Sequence, residues 1–151
     1  MKMKILIAVD ESPYSEAAIQ FVRRLRLPAD THVTVVSAVQ PAVPIYADMY
    51  VPAAATVDVH MVDQTKAHQE LVSQAERELR ESGLVTEARV LQGDPREAIV
   101  QTAKDEAADL VVVGSHGRSG IAKLVMGSVA SHVVTHAPCS VLVVKMEGRR
   151  A

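Results

Sequence analysis

A chain of 151 residues with a net charge of −2 is one domain by size and long enough to bury a real core. Its aromatic side chains are Tyr14, Phe21, Tyr46 and Tyr50, so it lacks the basic face and stacking rings of a nucleic-acid binder. Cys139 stands alone, which rules out an internal disulfide, and no apolar stretch nears the roughly 20 residues that span a bilayer. With no signal-peptide cleavage pattern after Met1, the expectation is a soluble cytoplasmic protein without membrane insertion.

Residues 4 to 9 form a near-continuous apolar run, as in a strand covered on both faces. Ser12 then offers an N-cap and Pro13 a first helical position. Ala17, Ala18, Phe21, Val22 and Leu25 follow at helical spacing, and Pro28 ends that helix. Residues 32 to 39 make a second strand. Residues 40 to 57 break the rhythm with Pro41, Pro44 and Pro52. A loop of that length is a lid, a partner surface or disordered, and Tyr46, Met49, Tyr50 and Val51 make it too apolar for a plain linker. A long helix is expected near residues 58 to 82, then a weaker third strand around Ala88 and Val90.

Asp94, Pro95 and Glu97 read as a cap, a first turn and a capping-box partner, with Ala98, Ile99, Thr102 and Ala103 as the inner face of the next helix. Leu110 to Val113 is the fourth strand. Val129, Ala130, Val133, Val134 and Ala137 stripe the last helix, Pro138 stops it, and Ser140 to Val144 is the fifth strand. Strands alternating with helices predict a parallel sheet with helices on both faces, its ligand beyond the carboxyl ends of the strands. The domain spans residues 1 to 147, with 148 to 151 as a short tail.

The most informative stretch is Gly114-Ser115-His116-Gly117, nine residues, then Gly127-Ser128. A strand that empties into a glycine-rich loop and then a helix outlines a phosphate cradle. Without a Cβ, glycine lets backbone N–H groups approach an anion, and the helix start adds unpaired donors and a positive dipole end. Asp10 closes the first strand as Gly114 closes the fourth. If those strands are neighbours, Asp10 faces the glycine loop across the crevice.

Other chemistry is weaker. No Gly-Lys-[Ser/Thr] supplies a Walker lysine, and Lys123 reads as a solvated charge. His132 and His136 have the i, i+4 spacing of two metal ligands, but no His-Glu start accompanies them. His68 falls on the stripe of Val72, Ala75 and Leu79 and reads as a packed helical histidine. Cys139 opens an apolar strand and reads as buried and inert. Ser12 and Asp94 read as helix caps. The flat apolar strand Ser140 to Val144, if it lies at a sheet edge, needs covering, and two copies pairing it antiparallel would do so.

The glycine spacing, the Ala8-Val9-Asp10 strand end and the tail from His136 to Val144 resemble a universal stress protein of the ATP-binding type, over Lys4 to Lys145. The resemblance implies a Rossmann-like sheet, related to adenine nucleotide alpha hydrolases, with strand order 3-2-1-4-5. It implies ATP or another adenine nucleotide, carried with Mg²⁺, at the switch point between strands one and four, and a homodimer paired through the last strand. It places Val9 and Asp10 beside the nucleoside, Val39 against the adenine by its backbone, and Gly114 near the ribose. Gly117, Gly127, Ser128 and Val129 would offer N–H groups to the phosphates, and Ser128 its hydroxyl. Ser115, His116 and Arg118 occupy the loop between. A complete cradle without a catalytic constellation implies a regulatory protein in the stress response, with slow or no hydrolysis. The alternative is a nucleotide-processing enzyme using the same site, and a third class is a pure interaction protein with an unidentified protein partner.

Overall fold

The computed structural model describes residues 2–41, 53–117 and 125–146. Tyr46, Met49, Tyr50 and Val51, together with Arg118 and Lys123, lie outside the described residues. The elements run β1 (Lys4–Ala8), α1 (Pro13–Arg24), β2 (His32–Val39), α2 (Ala53–Glu81), β3 (Val85–Gln92), α3 (Pro95–Asp105), β4 (Leu110–Gly114), α4 (Ser128–His136) and β5 (Ser140–Val144). The expected helix near 58 to 82 starts five residues earlier, so 53 to 57, read as loop, are helical.

The sheet has five parallel strands in the order β3-β2-β1-β4-β5. Each strand-helix-strand connection is a right-handed crossover in the usual case. The chain therefore winds outward from β1 on one side and, after β3, crosses to β4 on the other. Alternation then sorts the core into two layers. Ile5, Ile7, Val33 and Val35 face α1 and α2, where Val22, Val72, Ala75 and Leu79 close over them. Leu6, Val36, Val111 and Val113 face α3 and α4, with Ile99, Ala103, Ala130 and Val133 above. The central strands are buried on both faces, which is why they read as unbroken apolar runs.

The reversal of strand order falls between β1 and β4, whose register pairs Ile5 with Leu110 and Ile7 with Val112. Residues 9–10 and 114–117 therefore leave the sheet side by side. The neighbourhood that the sequence left conditional is present, and the crevice it opens is the best place for a ligand in such a sheet.

Candidate functional site

A cleft of about 440 Å³ opens at this point, within the range of small-molecule sites. Its lining includes Val9 and Asp10 after β1, Ser37, Ala38 and Gln40 from the end of β2, Gly114, His116 and Gly117 after β4, and Gly127 to Ala130 at the start of α4. Gln64, Ala67 and His68 of α2 close the remaining side.

Asp10 is held by its own neighbours. Its Oδ1 accepts from the Ser12 N–H at 2.8 Å and from the Ser15 hydroxyl at 2.9 Å, while its N–H donates to Ser15 Oγ at 2.8 Å. The Ser12 side chain makes no capping bond to α1, and its Oγ is buried without a partner. The capping expectation for Ser12 is thus corrected: the carboxylate two residues earlier takes the local N–H instead. Oδ2 of Asp10 points at the glycine loop, where a Cβ on Gly117 would sit 2.8 Å away.

The loop after β4 is stitched from both ends. Ser115 donates its N–H to Val144 O at 2.8 Å and accepts the Gly127 N–H at 2.7 Å. A Cβ on Gly127 would meet His116 Cα at 3.1 Å and Ser115 O at 3.2 Å, so the α4 start fits against the loop only without one. His116 bridges the same two segments, with Nδ1 at 3.1 Å from Ser115 Oγ and Nε2 against Val125 O. A carbonyl only accepts, so Nε2 carries a proton and, in the neutral ring, Nδ1 accepts from the serine. The Tyr14 ring packs on the imidazole at 5.0 Å between centroids.

The first helical bond of α4 runs from the Ser131 N–H to Gly127 O at 2.9 Å. The N–H groups of Ser128, Val129 and Ala130 precede it and have no bond within the helix. All three residues line the cleft. The Gly127 N–H, expected among the phosphate donors, is already engaged by Ser115 O. Ala130, which the sequence reading did not include, lies in the lining beside Ser128 and Val129.

Of the other expected site residues, Val9, Gly114, His116, Gly117, Ser128 and Val129 line the cleft. Val39 is buried, is not part of the lining, and gives its carbonyl to the Gly93 N–H at 2.9 Å; Ala38 and Gln40 form the wall on either side of it. Ser115 is buried behind the loop as a fastener. His68, read as a packed helical histidine, lies on the stripe of buried Val72, Ala75 and Leu79 but one turn beyond it. There it is half-buried in the cleft wall, its Nδ1 2.7 Å from Ser37 Oγ.

The i, i+4 histidines sit elsewhere. The rings of His132 and His136 stack at 4.1 Å, and His132 Nε2 lies 3.3 Å from Glu97 Oε1 on α3. Glu97, the expected capping-box partner, is thus turned towards α4, while Asp94 does cap α3 through the Arg96 N–H at 2.9 Å. Among the described residues, no group of three His, Cys, Asp or Glu is placed to hold a metal ion. No helix among them is long and apolar enough to cross a membrane.

A doubly wound sheet with a nucleotide-sized cleft at its switch point defines the class. The universal stress protein family model matches residues 1–145, and this chain belongs to that family. Universal stress protein Sll1388 of Synechocystis is 31% identical over 149 residues, covering 94% of this chain and 97% of the relative. Among solved structures, UspA from Lactobacillus plantarum matches with a TM-score of 0.74 at 26% identity, covering 94% of this chain and 97% of that one. The universal stress protein from Archaeoglobus fulgidus in complex with dAMP matches with a TM-score of 0.63 at 26% identity, covering 95% and 98%.

Proposed function

We propose that this protein binds ATP in the cleft at the β1–β4 switch point and acts as a cytoplasmic, homodimeric regulatory protein of the stress response. The observation that carries the reading is the start of α4 in the cleft lining, where the backbone N–H groups of Ser128, Val129 and Ala130 have no bond within the helix and Asp10 lines the same cleft. The complex of the Archaeoglobus relative with dAMP supports an adenine nucleotide as occupant. Each N–H bond to a charged phosphate oxygen contributes about 1.5–3 kcal/mol. Three such bonds, less the cost of immobilising the ligand, suit a micromolar Kd, about −8 kcal/mol. Mg²⁺ would ride on the phosphates, the described side chains offering no cluster to hold it.

Slow or absent hydrolysis fits the state of Asp10, whose Oδ1 is held by the Ser12 N–H and the Ser15 hydroxyl. The homodimer fits β5, which among the described residues pairs with β4 alone. A groove beside it is lined by Phe21, Leu142 and Met146, and an apolar strand edge of this kind calls for cover.

Calorimetry with ATP and Mg²⁺ on the wild type and on Gly127→Val tests the reading. The wild type gives a micromolar Kd. The variant loses binding, because its side chain drives α4 away from the backbone of Ser115 and His116. No heat and no melting shift at millimolar ATP would overturn the proposal.

A further inference from the structure

The cleft has two chemically different ends, and they belong to opposite faces of the sheet. The α4 end presents N–H donors and suits an anion. The α2 end presents Ala67 with three polar side chains, Ser37, Gln64 and His68, and no lysine or arginine lines the cleft among the described residues. An end without a cation is poorly suited to phosphate and well suited to a flat, weakly polar group. Ser37 is buried at 2% exposure, so its hydroxyl needs a partner, and the imidazole of His68 supplies it at 2.7 Å. That bond fixes the ring against the wall before any ligand arrives. Gln64 stands one helical turn away on the same face of α2, adding an amide donor and acceptor.

From this geometry we infer that His68, oriented by Ser37 and flanked by Gln64, is the contact that recognises the nucleobase and sets base preference. The inference rests on the nucleotide reading above and assigns it a residue. A ring fixed in advance loses little freedom on binding, and a site built to hydrogen-bond a base edge penalises a base that leaves its polar groups unpaired.

The experiment compares ATP, GTP and inorganic tripolyphosphate by calorimetry on the wild type, His68→Leu and His68→Asn. Asparagine places a polar atom where Nδ1 stands, so it keeps Ser37 paired and protects folding while removing the rest of the ring. Both substitutions are expected to weaken ATP about tenfold, to narrow the ATP-to-GTP ratio, and to leave tripolyphosphate unchanged. If His68→Leu does not fold, His68→Asn alone decides. ATP binding unchanged in His68→Asn overturns the inference and leaves the anion cradle standing. Equal losses for ATP and tripolyphosphate also overturn it, because they report a disturbed cleft rather than a lost base contact. A wild type that binds tripolyphosphate no worse than ATP shows that no base is read. A wild type that binds neither brings down the nucleotide reading itself.

Discussion

Gly117 and Asp10 meet so closely that a Cβ on the glycine would stand 2.8 Å from the carboxylate Oδ2. The contact joins the ends of β1 and β4 across the switch point and sets how far the glycine loop stands from the sheet. Gly117→Ala forces that carboxylate aside. Because the obstacle is the tip of a side chain, the fold yields at a cost of about 1 kcal/mol, a few degrees in Tm. Asp10 then breaks from Ser12 or Ser15, and ATP affinity is expected to fall at least tenfold. Gly114→Ala reverses the pattern. Its Cβ would lie 2.8 Å from Tyr14 Cβ and 3.1 Å from the Tyr14 carbonyl, neither of which can swing away. A loss of about 2–3 kcal/mol, roughly 5–10 °C in Tm, is expected. Thermal melts and calorimetry on the two variants check the contrast.

The open edge of β5 makes a prediction about assembly. Val144 O accepts from Ser115, on the β4 side. Backbone groups alternate along a strand, so Leu142 also faces β4, and the N–H groups of Val141 and Val143 face outward. Val143→Pro removes one outward donor while sparing the β4 ladder. Sedimentation should give the wild type twice its 16.2 kDa chain mass and the variant the single mass, with ATP binding retained. A wild type that sediments as a monomer would remove the reason for the proposed pairing.

Cys139 was expected to be buried and inert, and it proves only half-buried just ahead of β5. Burial nevertheless pushes its thiol above the ordinary range, with the Asp109 carboxylate adding to the effect and a backbone bond at Val111 opposing it. The thiolate is the reactive form. At pH 8 the native protein should therefore be alkylated by iodoacetamide more slowly than free cysteine, with the gap closing on denaturation. Equal rates in the folded state would show that the burial is not protective.

What the sequence made legible follows from where its physics is local. The strands Lys4–Ala8 and Leu110–Gly114 are covered on both faces, so their apolar runs announce them without reference to the rest of the chain. Asp94-Pro95 marks the start of α3 because a cap acts within one turn. β3 read weakly since it is an edge strand, and Val85–Gln92 has no fully buried side chain. The place of His68 in the cleft wall was not legible for a different reason. Helical spacing shows that it shares a face with Val72, but not that the sheet ends beneath that face, and only there does a core position become a cleft wall. Ser115 likewise sits inside the loop motif, yet its bonds to Val144 and Gly127 join segments that sequence proximity does not connect.

The cap of α3 carries a pH prediction whose sign is fixed by its partners. Asp94 accepts from Arg96 at three points: the guanidinium at 3.1 Å and 2.7 Å, and the backbone N–H at 2.9 Å. These bonds favour the carboxylate and lower its pKa from 3.8 to about 2. A group depressed in the folded state contributes stability that is fully present above its unfolded pKa. That stability is lost as pH falls through the folded value, so the window runs from about 4 down to about 2. Asp94→Ala should lower Tm by a few degrees at pH 7. The difference from wild type should hold to about pH 5, shrink below 4 and close near 2. Paired thermal melts across that range check it. A gap that stays constant down to pH 2 would show that the cap acts through packing rather than through its charge.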